Sequence, residues 1–374
     1  MQQWLPAKSI RALRDRSGFR RDGRIDTLRG IACILIVAFH VIGADSSSGM
    51  HVADDSLWRQ AAVVLSPLRL PMFACLSGFL FHYEVTGWQA GRGEMLRKLR
   101  RLGIPLVIVS TLFYTAACHT PSHFCTGSPL SNIVFPYAHF WYLQASLIIF
   151  AVTIGIFALA NAAGVDPKRT AVVLFTASAI AAIVLPSVEP NVFSLDGAIL
   201  LLPFFMLGLV FHAFGLLDLC DSHPVIRYSC GGVLAAALAV IMAVRWNMPL
   251  ERMLGPELFR ILIFLGCSMV SCVAMLLLRQ SVPSLARLGA YSYSIYLFHP
   301  FFTGGSRITL DWLFGTVPNG VVFPVGLAAG LALPVALHLL TVKHRIPALL
   351  LLGINRAPER GRANHAAALP RASR

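Results

Sequence analysis

The chain has 374 residues, 56% of them hydrophobic and only 13% charged, with a mean hydropathy of +0.70. A soluble domain carries roughly twice that charged fraction, and the apolar runs are continuous rather than alternating, so the composition excludes both a soluble fold and a closed β-barrel. The net charge of +14 does not point to nucleic acid, because Lys and Arg gather between the apolar runs and at both ends, with no aromatic-interleaved basic patch.

The expectation is an all-α, polytopic membrane protein. Residues 1–29 hold Lys8, Arg11, Arg14, Arg16, Arg20 and Arg21 and lack a small-residue cleavage site, so they read as a retained basic segment. About ten spans are predicted, near 30–45, 61–82, 102–118, 138–160, 170–186, 198–215, 228–244, 257–278, 290–305 and 320–342. Residues 30–342 thus form one transmembrane domain, and 343–374 a basic tail whose Ala/Arg-rich part from Arg356 reads as disordered. With the N-terminus inside, 25 of the 31 Lys and Arg residues fall in inner segments, which puts both termini in the cytoplasm. Pro67, Pro71, Pro203, Pro300 and Gly304-Gly305 predict bent helices around a cavity, a feature shared by enzymes and transporters. Cys118 and Cys125 flank an outer loop; a disulfide and two unrelated small residues are both open readings.

Arg29 and His40 are the first candidates for chemistry. Eleven residues at about 100° each make three turns plus about 20°, so both side chains leave nearly the same helix face, roughly 16 Å apart along the axis. Desolvating an ionisable group is costly, which marks such residues as functional by default. His40 is either a structural histidine bonded to a neighbouring helix or a general base in a partly dry pocket. Arg29 is too far away to be its partner: two unit charges ~16 Å apart interact by about 1 kcal/mol at an effective dielectric of ~20. It reads as an anion anchor at the inner face or as a snorkelling cation. Arg69, in the second span, needs a partner if buried, and Asp26 or Glu84 would supply one. His299, ahead of Pro300, either packs a kink or lines a cavity. Trp141 and Tyr142 are interface anchors or sugar-stacking rings. His51, His119 and His123 lack metal-ligand spacing with Cys or carboxylates, so no metal is predicted.

Short motifs then recur in a definite order. Arg29-x10-His40 lies within RIDTLRGIACILIVAFH; Arg69-Leu70-Pro71-Met72-Phe73 leads into Leu76-Ser77-Gly78-Phe79; Lys98-x2-Arg101 precedes Pro105. Phe140-Trp141-Tyr142-Leu143, Leu202-Pro203-Phe204-Phe205-Met206-Leu207-Gly208 and Tyr291-Ser292-Tyr293-Ser294-Ile295-Tyr296-Leu297-Phe298-His299-Pro300 follow. This series, over residues 24–300, resembles the acyltransferase 3 family, the multi-spanning O-acyltransferases of bacterial surface polysaccharides. It departs at Lys98, where the family has Arg (Arg97 with Arg100 offers another register), and at Tyr142, where Phe is usual.

The resemblance implies an enzyme of the bacterial inner membrane. It would transfer an acyl group, usually acetyl, from cytoplasmic acyl-CoA to a hydroxyl of a glycan or lipid-linked saccharide. His40 would be the catalytic base, and Arg29 with Arg97, Lys98 and Arg101 would hold the CoA phosphates. Arg69, Ser77, Trp141, Tyr142 and His299 would line the pocket. The alternative class is a secondary transporter or glycan-lipid flippase, although the internal repeat common in transporters is not evident.

Overall fold

The computed structural model describes residues 22–81, 88–120, 124–247 and 256–355, and every regular element among them is helical. The basic segment before Asp22, Glu84, His123 and the tail from Arg356 lie outside the described residues.

Helix α1 (Gly23–Ile42) carries both Arg29 and His40, and its first turn is capped by the Asp22 carboxylate, which accepts the Arg24 amide at 2.9 Å. The expected second span is broken. Helix α2 (Leu57–Val64), a 3-10 turn (Ser66–Leu68) and α3 (Leu70–Phe79) meet at a 44° bend. Pro67 and Pro71, each in the first turn of its segment, start new helices but cannot continue the old one. Helix α4 (Trp88–Lys98) passes through a π turn (Leu99–Gly103) into α5 (Ile104–Cys118), giving one continuous 31-residue segment. Cys118 is disulfide-bonded to Cys125. There follow α6 (Pro129–Val134), α7 (Trp141–Ala162), α8 (Pro167–Val184), a 3-10 turn (Val192–Ser194) and α9 (Leu195–Ala213). The remainder is α10 (Leu216–Ser222), α11 (Pro224–Asn247), α12 (Pro256–Leu277), α13 (Pro283–Gly289), α14 (Ser292–Phe314), α15 (Asn319–Thr341) and α16 (Arg345–Leu352).

All ten predicted apolar segments contain helix. Among the described residues, seven helices are long and apolar enough to cross a membrane, or eight if the bent pair is one span. The described apolar part of α12 covers only Ile261–Leu277, and α14 carries Arg307 and Asp311 in its second half, where its polarity rises.

Apolar burial drives little association in a lipid solvent, so close packing rests on small residues at helix crossings. Two crossings are built from paired glycines. A Cβ on Gly78 of α3 would overlap the Phe205 carbonyl, and one on Gly208 of α9 the Cys75 carbonyl. Gly30 of α1 and Gly289 of α13 stand in the same reciprocal relation to the carbonyls of Leu285 and Asp26. The first crossing fixes α3, with Ser77, against α9; the second fixes the Arg29 end of α1.

A polar node ties that same end together. The Asp221 carboxylate accepts from Arg24 and Arg279 at 2.7 Å each and from Arg227 at 2.9 Å. Arg279, with a side chain only 1% exposed, also donates to the Leu276 and Leu217 carbonyls. Burial alone would raise the Asp221 carboxyl, but the Arg24 hydrogen bond and the charges of Arg279, Arg24 and Arg227 outweigh it and hold it below the usual carboxylate range. A carboxylate depressed by folding stabilises fully above its unfolded pKa of about 4, and that stability drains away as pH falls through the lower folded value. Asp221→Asn should therefore cost about 2–3 kcal/mol at pH 7, since it strips the shared partner from three arginines. Thermal melts in detergent should show the gap to wild type closing as the pH drops below about 4.

Candidate active site

The site begins with a defect in α14. Pro300 has no amide hydrogen, so the Tyr296 carbonyl four residues earlier loses its helical partner. His299 repairs the loss, its Nδ1 lying 2.9 Å from the carbonyl oxygens of both Tyr296 and Ile295. The kink and the cavity readings of this histidine are thus two ends of one ring, because Nε2 points away from the backbone. It is buried and has no hydrogen-bond partner.

Two further imidazoles meet it. His40, in the last turn of α1, has its ring centroid 4.7 Å from that of His299. His139 lies in the turn before α7, which is reached through Ala138 at φ 44°. Its centroid is 5.5 Å from His299 and 6.3 Å from His40. His139 Nε2 donates to the Leu297 carbonyl at 3.2 Å, and its own carbonyl accepts the Tyr296 hydroxyl. His299 and His139 are 0% and 5% exposed, whereas His40 is half-buried, so of the three rings it is the one open to an incoming molecule. Among the described residues no group of three or more His, Cys, Asp or Glu is arranged to hold a metal, these three rings included.

Arg69 sits at the bend between α2 and α3, with its guanidinium 3.9 Å from the centre of the Phe39 ring, beside His40. The expectation of Asp26 as its partner is corrected: Asp26 pairs with Arg29 at 3.3 Å, near the opposite end of α1. An aromatic face replaces the carboxylate, which suits a delocalised guanidinium better than it would an ammonium.

Below the imidazoles a column of rings leads toward Arg29. Tyr296 stands 6.4 Å from His299 and 5.3 Å from Tyr142, and the Tyr142 hydroxyl is within reach of Ser77 and Ser146. These three residues line a narrow cleft, with room for about one water molecule, together with Ala74, Ile149, Phe150 and Phe205. The Lys98 ammonium lies 4.0 Å from the centre of Phe150 and 3.4 Å from Glu94. The other basic residues divide. Arg101 stacks on Tyr293 at 4.1 Å and donates to the Leu352 carbonyl at 2.6 Å, which ties α16 to the π turn. Arg97 is exposed and bonds Glu94 through Nε at 2.8 Å. Trp141 packs its ring against Gly197 of α9, where a Cβ would meet it at 2.7 Å.

His139 was missed although it lies at the start of the predicted span 138–160, among the aromatic residues Tyr137, Phe140, Trp141 and Tyr142. Its neighbour Gln144 was missed as well, yet it anchors the turn before α7 by donating to the carbonyls of Ile133 at 2.7 Å and Phe135 at 3.1 Å.

A helical membrane protein with an imidazole cluster at one level and cations at another defines a class: a membrane-embedded enzyme or carrier. The family narrows it. The acyltransferase 3 family model, described as an acyltransferase domain, matches residues 22–339, and the chain belongs to that family. It is thereby a multi-pass membrane acyltransferase, with an acyl donor and an acceptor as its substrates. No curated protein and no solved structure matches the chain.

Proposed function

We propose that this acyltransferase moves an acyl group, acetyl in the first instance, from cytoplasmic acyl-CoA to a hydroxyl of a cell-surface or exported glycan. His40 is the general base, and the setting is a bacterial inner membrane crossed ten times with both termini inside. The observation that carries the reading is the position of His40: a half-buried imidazole, next to two buried ones, on the same helix as Arg29 and three turns above it. CoA is polyanionic at one end and carries its thioester at the tip of an extended arm. A site for it needs cations at one level and a base at another, and the separation of roughly 16 Å between Arg29 and His40 supplies both.

In the reaction, the acceptor hydroxyl gives its proton to His40 as its oxygen attacks the thioester carbon. The C–S bond breaks when the tetrahedral intermediate collapses, and His40 returns the proton to the departing sulfur. Arg69, stacked on Phe39 beside the base, is the cation nearest the developing oxyanion. Arg29, Lys98, Arg97 and Arg101 serve the phosphates, with Lys98 the best placed because it already reaches Phe150 at the cleft. Lys98→Gln should raise KM for acetyl-CoA about tenfold and leave kcat within about twofold, since it removes binding common to ground and transition states. Steady-state kinetics over a range of acetyl-CoA concentrations check this.

The outer disulfide, on the loop after α5, accords with an oxidising compartment on the side away from CoA. Mass spectrometry of surface glycan from cells with and without the chain tests the proposal as a whole. An alkali-labile acyl mass should vanish with the chain, and glycans of identical mass in both would contradict it.

A further inference from the structure

We infer that His299 is the positioning partner of His40: its buried Nε2 accepts the ring N–H of His40 and fixes which nitrogen of His40 acts as base. The inference rests on the reading of His40 as general base and adds a residue that acts through it.

The argument is one of hydrogen bookkeeping. A carbonyl oxygen only accepts, so His299 Nδ1, at 2.9 Å from the carbonyls of Ile295 and Tyr296, must carry the ring hydrogen. The neutral ring then has a lone pair on Nε2, and that atom is buried without a partner. An acceptor left unpaired in a membrane interior is costly, and the site has a donor for it. His40 is the nearer of the two imidazoles, at 4.7 Å between centroids, and it meets His299 edge to face at 61°. His139 spends its Nε2–H on the Leu297 carbonyl, so it has no ring hydrogen left to give. The donor is therefore His40. Once its N–H is given to His299, the other nitrogen of His40 holds the lone pair that takes the acceptor proton. When His40 becomes imidazolium, the same bond persists and is strengthened by the charge. Pro300 keeps the arrangement in register, because the amide it lacks is what commits His299 Nδ1 to the backbone.

The test uses the full chain in native membranes, with radiolabelled acetyl-CoA and the endogenous glycan as acceptor. His299→Phe keeps the ring shape and removes the acceptor nitrogen; His299→Gln offers an amide oxygen in its place. The Phe variant should lose about a hundredfold in kcat with KM for acetyl-CoA within about threefold, and the Gln variant should recover about tenfold of that loss. Equal losses in both variants, or a change confined to KM, would overturn the inference. Nitrogen NMR of histidine-labelled protein reads the tautomer without any turnover and so covers a Phe variant that fails to fold. In wild type the His40 signals, assigned by their absence in His40→Ala, should show a single tautomer, and His299→Gln should preserve it. A mixture of tautomers in wild type would refute the assignment. If His40→Ala retains full transfer, the base reading itself fails; if His40→Ala is inactive while His299→Phe keeps full kcat, only the partnership fails.

Discussion

Replacing His40 by alanine should reduce acyl transfer about 10²–10⁴-fold, or about 3–5 kcal/mol of transition-state stabilisation, with KM for acetyl-CoA nearly unchanged. The split follows from the separation along α1. On the proposed reading Arg29 grips the donor roughly 16 Å along the helix from His40, so ground-state binding of the donor should not feel the substitution. The fold should tolerate it, because alanine is the strongest helix former and His40 is only half-buried. Thermal melts of wild type and variant in detergent should agree within a few degrees while the rates differ by orders of magnitude. A variant that unfolded, or one whose KM alone rose, would place His40 in the frame rather than in the chemistry.

The second large effect is on the fold. Gly208→Val should prevent accumulation of folded protein, since the new side chain would collide with the Cys75 carbonyl and with the Phe79 amide nitrogen, which lies 2.7 Å from an added Cβ. Backbone atoms cannot step aside as a flexible side chain can, so α3 and α9 would have to part, and the cost should exceed about 4 kcal/mol. Gly78→Val, the other half of the crossing, should fail in the same way. Gly93 on α4 is the control: an added Cβ there meets nothing within 4 Å, and Gly93→Ala should leave expression and melting temperature unchanged or slightly raised. Fluorescence-detected size exclusion of tagged variants reads all three. The two motifs that hold these glycines, Leu76-Ser77-Gly78-Phe79 and the segment ending in Gly208, are therefore halves of a single contact.

The features legible in the sequence were those that leave a periodic or compositional trace. Continuous apolar runs announced an all-helical membrane fold, and the spacing of eleven residues put Arg29 and His40 on one face of what is α1. The prolines at 67 and 71 foretold a bend in the second segment but not that a new helix starts at it. Contacts between distant segments were not legible. His139 reaches His40 across 99 positions through a turn with a positive φ, which no periodicity records. Arg24, Arg227 and Arg279 enter the sequence reading only within the count of inner-segment charges, yet all three converge on the Asp221 carboxylate. His299 was half legible. The His-Pro pair states that a carbonyl four residues before the proline is orphaned, but the nitrogen that answers it, and the one left over, belong to three-dimensional geometry.

The central claim is that acyl transfer from CoA to a hydroxyl runs through His40. Its most direct test reconstitutes the purified chain in vesicles with acetyl-CoA labelled on the acetyl carbon and lipid-linked glycan prepared from cells lacking the protein. Wild type should release one free CoA thiol for each acetyl group found as an alkali-labile ester on the glycan, and His40→Ala should show neither product above background. Movement of glycan across the vesicle membrane on an ion gradient, with the thioester intact and the His40 variant fully active, would contradict the account and identify a carrier.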